Sequence, residues 1–285
     1  MRLATYASVA TAVILILAKL IAWFVSDSVS ILATLVDSSL DVLASVINLF
    51  AVHHALQPAD REHRFGHGKA EALAGLGQSM FITGSAGILL LQGISRLLDP
   101  QPLEKGLELG IAVMLLSVAA TLILLSFQRY VIRRTDSMAI KADALHYKTD
   151  LLTNGSVIIA LILTSYGWHH VDPLFAIAIA LYILHSAWHI MRGAIDLLMD
   201  HELPDEDRER IKTLINNDPQ ALGHHDLRTR RSGNRIFVQL HLELDEKLSL
   251  KQAHAIADKL EHQVADLFDE AEVIIHEDPV ARRER

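Results

Sequence analysis

Six stretches of this chain stay apolar for longer than the elements of an ordinary water-soluble domain. They run Leu3–Val25, Ser30–Leu56, Ala70–Leu98, Leu107–Val131, Ile140–Tyr166 and Val171–Met199. A bilayer core about 30 Å thick takes roughly 20 mostly apolar residues to cross as a helix, and each stretch meets that length. Backbone polar groups in lipid must be satisfied internally, so the pattern predicts a bundle of six transmembrane helices. The first stretch exceeds a signal-peptide core and is interrupted by Lys19, which predicts a retained helix.

Charge divides the chain at the same place. Residues 1–199 hold 13 Lys+Arg against 14 Asp+Glu, and residues 200–285 hold 13 against 20. A charge-poor membrane part, 1–199, and an acidic soluble part, 200–285, explain how 51% hydrophobic residues coexist with 21% charged ones. Arg61, Arg64 and Lys69 lie between the second and third stretches, and Arg129, Arg133, Arg134 and Lys141 between the fourth and fifth. The opposite links, Ser26–Ser28 and Gly167–Val171, contain no Lys or Arg, and the link around Pro102 has only Lys105. Basic loops stay on the cytoplasmic side, so both termini and the soluble part are expected there.

The soluble part has a readable order. Pro204–Asn217 opens on proline and acids, as a helix does. Asp226–Arg231 and Arg235–Asp245 flank Ser-Gly-Asn, a hairpin signal. In the second strand Ile236, Val238, Leu240, Leu242 and Leu244 alternate with Phe237, Gln239, His241, Glu243 and Asp245, which predicts one core face and one largely polar face. A helical period from Leu250 to Leu267 and a short strand Glu272–His276 complete an αββαβ open-faced sandwich.

Cysteine is absent and histidine appears 16 times, so any metal must be held by nitrogen and oxygen. An acidic pI near 6.0 and no basic patch argue against a nucleic-acid partner. Within the membrane part, Ser30, Thr34, Asp37, Asp41, Ser45 and Asn48 form one continuous stripe on the second helix. Asp143, His146, Asp150 and Asn154 repeat the design on the fifth. A charged group at bilayer depth costs at least about 2.5–3.5 kcal/mol on insertion scales, so it marks a functional site by default. Asp37, Asp41, His146 and Asp150 facing one another would make a four-ligand N/O cage suited to Zn²⁺. Metal must displace protons from such ligands, which suggests proton-coupled antiport by alternating access. Asp60, His63 and His67 form a second Asp-x-x-His-x-x-x-His cluster in the basic loop.

The segments Asp37-Ser-Ser-Leu-Asp41, Gln57–Lys69, His146-Tyr-Lys-Thr-Asp150, His225–Arg230 and Ile274–Pro279 resemble the cation diffusion facilitator family almost end to end. Within it the chain is similar to bacterial zinc and ferrous-iron efflux members. The resemblance implies a six-helix protomer with a cytoplasmic metallochaperone-like α/β domain, paired as a homodimer in the bacterial inner membrane among its lipids. It implies export of Zn²⁺, with Cd²⁺ and Fe²⁺, against protons, and no organic cofactor. The family's transport site carries over onto Asp37, Asp41, His146 and Asp150, and its loop site onto Asp60, His63 and His67. A binuclear cytoplasmic site carries over onto His225, His241, His254, His276 and Asp278, and a dimer-locking charge pair onto Lys69 and Asp200.

Other features carry less. His185 and His189 have metal-binding spacing but no carboxylate within a turn, which favours interhelical bonding. His53-His54 and His169-His170 sit near helix ends, and His224 neighbours His225 as a bystander. Gly75, Gly77, Gly84 and Gly87 suggest close helix packing. An intramembrane metalloenzyme is disfavoured, because four protein ligands leave no position for water. A membrane-anchored metal sensor is the alternative to a transporter, but it gives no reason for carboxylates on two membrane helices.

Overall fold

The computed structural model describes residues 1–26, 29–98, 108–165 and 171–281. The links bearing Asp27, Lys105 and His169-His170, and the Asp37 side chain, lie outside them. Six long helices come first: α1 (Arg2–Ser26), α2 (Val29–Ala55), α3 (Lys69–Leu98), α4 (Glu108–Thr135), α5 (Met138–Ser165) and α6 (Val171–Leu198). Then follow α7 (Asp205–Asn216), β1 (Gly223–Ser232), β2 (Arg235–Asp245), α8 (Leu250–Ala265) and β3 (Ala271–Val280). The six helices match the six apolar stretches to within a few residues. The third strand is longer than its apolar run suggests.

The chain divides into two compact units. One comprises Met1–Pro58 and Ala70–Ile195, and the other Ala59–Lys69 and Asp196–Arg285. The loop before α3 thus groups with the αββαβ part rather than with the helices that flank it in sequence.

In the helical unit, Arg2–Val25, Lys69–Leu98, Met114–Thr135 and Pro173–Leu198 are long and apolar enough to cross a membrane. Among the described residues α2 reaches that composition only over the shorter Asp41–Ala55. One core joins Ile82 and Ala86 of α3, Leu145 of α5, and Ile183 and Ala187 of α6; another joins Ala4, Val131 and Ile140. Phe50, Leu91 and Ile123 instead point outward, 68%, 69% and 73% exposed, as a lipid-facing surface requires.

Close packing falls on fewer glycines than the sequence suggests. A Cβ on Gly75 would stand 3.1 Å from Met138 Cγ, and one on Gly93 2.9 Å from Ile177 Cγ1. Gly77, Gly84 and Gly87 have nothing within 4 Å among the described residues.

In the second unit, β1 pairs antiparallel with β2, and β2 parallel with β3, in the order β1-β2-β3. The even-numbered aliphatic row of β2 forms the core with Ile211 and Ile215 of α7 and Ile256, Leu260 and Val264 of α8. Three acids in the first turn of α7 oppose its dipole, and Gln252 Oε1 accepts the Ser249 N–H before α8. The hairpin closes through Gly233 and Asn234, with Gly233 alone at positive φ, the sign pattern of a type II′ turn.

The polar face of β2 is not wholly polar. Phe237 is only 4% exposed, because Phe65 of the loop meets it edge-on at 5.7 Å and the Arg230 guanidinium stacks on both rings, at 4.8 and 4.4 Å. Gly68 passes so near the hairpin that a Cβ there would lie 2.4 Å from the Ser232 carbonyl oxygen. Backbone on both sides leaves no flexible group to give way. Gly68→Ala is therefore expected to lower the stability of this unit by about 1–3 kcal/mol, the usual range for overpacking. Thermal unfolding followed by circular dichroism would measure it, with Gly77→Ala as the unobstructed control.

Candidate metal centres

The helical unit places its charged groups by helix period. Asp41 lies on α2, and His146 and Asp150 lie one turn apart on α5. His146 Nε2 stands 2.9 Å from Asp41 Oδ1, and Asp150 offers an oxygen within 4.8 Å of both. His146 is 7% exposed. One nitrogen and carboxylate oxygens at that spacing can close on a divalent ion, which would replace the His146–Asp41 hydrogen bond with two coordinate bonds. Asp37, expected as the fourth ligand, lies one turn before Asp41 on α2, and its side chain is outside the described residues.

What holds α5 in this orientation is a polar network beneath the cluster. Asp143 is 1% exposed and accepts hydrogen bonds from Ser8 Oγ at 2.5 Å, Gln128 Nε2 at 2.7 Å and Gln78 Nε2 at 3.3 Å. These donors come from α1, α4 and α3. The Tyr147 hydroxyl donates to the Ser8 carbonyl at 3.0 Å and lies 2.9 Å from Ser45 Oγ, joining α5 to α1 and α2. At the start of α5, the buried Glu71 carboxylate accepts the Ala139 N–H at 3.4 Å. Asp143 belongs to the sequence stripe, but Gln78, Gln128 and Glu71 were not singled out there. Their signal was simply a long polar side chain within an apolar run.

The loop cluster is also assembled. Asp60 Oδ1 accepts the backbone N–H groups of Glu62 and His63, at 2.8 and 2.6 Å. Its Oδ2 lies 3.3 Å from His67 Nε2, and the His63 and His67 rings are 4.5 Å apart. The hydrogen bond from His63 N–H is the main reason the Asp60 carboxyl titrates below its ordinary value. A preformed anion beside two imidazoles is a ready three-ligand set.

The third cluster is made by a β-bulge. His225 pairs with His241, but the register shifts before Arg228 pairs with Gln239. Asp226, at φ 50°, is the residue that turns the strand. His225 and the buried Thr229 have the same parity, so a regular strand would put both on one face. The extra residue moves His225 to the open face, beside His241, while Thr229 stays on the core side. His276 and Asp278 pair with His241 and Glu243 and share that face. Asp278 Oδ2 lies 2.8 Å from His241 Nδ1 and 3.1 Å from His225 Nε2, and its Oδ1 3.5 Å from His276 Nε2. The His241 hydrogen bond chiefly holds the Asp278 carboxyl below its ordinary value.

His254 does not join them within one chain. It sits on α8, 4.0 Å from Glu277, whose partner Leu242 faces the helices, so the sheet separates it from His241. His224 likewise turns to the covered face and meets Asn216 Oδ1 at 3.1 Å. His185 and His189 stack edge-on at 4.7 Å without an accompanying carboxylate group among the described clusters.

Lys69 and Asp200 pair within one protomer at 2.9 Å, and Arg230 adds a second contact to Asp200 at 3.3 Å. Asp200 has φ 57° and closes α6, with the His201 N–H returning to the Asp196 carbonyl at 2.9 Å, a Schellman end.

Residues 5–199 match the cation efflux transmembrane domain, and residues 203–280 match the cation efflux protein cytoplasmic domain. The chain belongs to the cation efflux family. It is accordingly a membrane transporter and not an enzyme. It is 50% identical over 276 residues to the cation-efflux pump FieF of Klebsiella pneumoniae subsp. pneumoniae, covering 97% of this chain and 92% of that one. The cation-efflux pump FieF of Yersinia pestis is 49% identical over the same shares. Among solved structures, the zinc form of the putative zinc transporter CzrB is 37% identical over 30% of this chain and 99% of that chain, with a TM-score of 0.27. The metal-bound C-terminal domain of the CzcD transporter from Thermotoga maritima is 29% identical over 28% of this chain and 93% of that chain, with a TM-score of 0.26.

Two outcomes test these clusters. His241→Ala is expected to weaken Zn²⁺ binding at the sheet cluster at least tenfold, whereas His224→Ala should leave it within twofold, as read by calorimetric titration. For Asp200, burial opposes ionisation but the hydrogen bonds from Lys69 and Arg230 outweigh it, so its carboxyl titrates below the ordinary value. A lowered carboxylate value adds stability above pH ~4 that is lost as pH falls through the folded-state value. Protection of the 59–69 loop from proteolysis should therefore fall as the pH drops below about 4. In Asp200→Asn it should be lower at neutral pH and fall less with acid, the remaining dependence coming from Asp60.

Proposed function

We propose that this cation efflux protein exports Zn²⁺, and also Cd²⁺ and Fe²⁺, in exchange for protons. The ion enters from the cytoplasm and binds Asp37, Asp41, His146 and Asp150. The observation that carries the reading is the 2.9 Å approach of His146 to Asp41 beside Asp150, on two helices of the transmembrane domain. Protons on the ligands relieve repulsion in the metal-free cage, and metal binding releases them, so ion and protons alternate in one site. Opening that site to opposite faces in turn lets an inward proton gradient drive the ion out.

The chain on this reading crosses the bacterial inner membrane six times, with both termini cytoplasmic, and works as a homodimer. The division falls between a membrane part, 1–199, and a cytoplasmic part, 200–285. Asp60, His63 and His67 form a loop site. His225, His241, His276 and Asp278 form the cytoplasmic site, with His254 contributing across the dimer. Lys69 and Asp200 form the dimer-locking charge pair. Metal in the cytoplasmic sites is structural or regulatory, and the transported ion is the substrate.

Zn²⁺ flux into proteoliposomes holding an encapsulated zinc dye tests the mechanism, with and without a pH gradient. Flux that follows the gradient in the native chain and falls at least a hundredfold in Asp41→Ala is expected. Gradient-independent flux overturns the antiport. Binding without any flux favours a membrane-anchored sensor.

A further inference from the structure

Lys19 lies inside the apolar run of α1 and belongs to none of the described metal clusters. It stands seven residues before the end of α1 at Ser26, roughly 10 Å along the helix axis. A lysine at that depth ordinarily lays its stem along the helix and carries its ammonium to the headgroups. Lys19 instead turns toward α2, where its Nζ donates to Ser38 Oγ at 2.6 Å. Ser38 is 2% exposed. It follows Asp37 directly and lies three residues before Asp41, a separation that makes neighbours on a helix surface.

We propose that Lys19 is a tethered counter-ion to the transport carboxylates, resting on the proposed Asp37/Asp41/His146/Asp150 site. With no metal bound, its ammonium offsets the repulsion between carboxylates one turn apart in a poorly screened interior. An arriving divalent ion supplies twice the charge at shorter range and drives the ammonium away. A monovalent ion offers no more charge than the tether already provides, so the tether favours doubly charged substrates. It also limits affinity, because every bound ion has displaced a cation that the protein returns when the ion leaves. Lys19 is therefore a specificity and release residue rather than a ligand.

The test compares Lys19→Met, which keeps the stem and removes the charge, with Lys19→Arg, which keeps the charge. Both are made in a His67→Ala, His241→Ala background, so that Zn²⁺ binding reports the membrane site. Lys19→Met is expected to bind Zn²⁺ about tenfold more tightly, with KM and maximal flux both reduced about tenfold. Lys19→Arg should stay within threefold of the parent. Unchanged or weaker binding in folded Lys19→Met overturns the proposal, and if that variant fails to fold, Lys19→Gln is read in the same way. Asp41→Ala in the same background separates the two ideas. If it leaves binding intact, the site assignment fails; if it abolishes binding while Lys19→Met is unchanged, only the tether fails.

Discussion

A carboxylate and an imidazole in hydrogen-bond contact between α2 and α5 set the terms for the rest of the helical unit. Neither group tolerates an apolar surrounding alone, and each is held by a helix that must stay continuous to satisfy its backbone. The helices can therefore neither unwind nor rotate freely to relieve the strain of burying them. Rotation of α5 by one residue would carry His146 about 100° away from Asp41. The unit resists that rotation with a second layer of polar bonds, directed at Asp143 and Tyr147 from α1, α2, α3 and α4. Neutral donors suit this purpose, because they fix the Asp143 carboxyl without adding charge to the unit.

The second unit uses different means toward a similar end. A sheet face presents side chains at fixed spacing, and one inserted residue decides which histidine appears on it. The loop 59–69 is held to the same unit by aromatic stacking, by Arg230 and by the close approach of Gly68 to the hairpin. Its Asp60 cluster therefore belongs mechanically to the αββαβ part, although the sequence places it between two apolar helices.

Much of this was legible in the residues. Apolar run length fixed the helices closely, because lipid leaves so few alternatives, and polar residues spaced by helical turns exposed Asp41, His146 and Asp150. Family resemblance added the sheet cluster. What escaped detection depends on contacts distant in sequence. Phe237 looked like an exception on a polar face until Phe65 and Arg230 covered it. Ser38 fell off the stripe of α2 because it serves α1 instead, and Lys19 looked like an interruption because its partner is on another helix. The bulge at Asp226 was invisible for another reason: alternation reports a face only while no extra residue is inserted between paired positions. The resemblance assigned His254 to the sheet cluster, yet the sheet stands between it and the other histidines of its own chain.

Asp200 has one further implication. The left-handed backbone that ends α6 admits Gly, Asn and Asp with little penalty and disfavours longer side chains. The basic groups of Lys69 and Arg230 call for an anion, which only Asp and Glu supply. The two requirements overlap in a single amino acid. Position 200 therefore has an alphabet of one letter, and a chain of this fold that carries anything else there must have rebuilt either the turn or the charges around it.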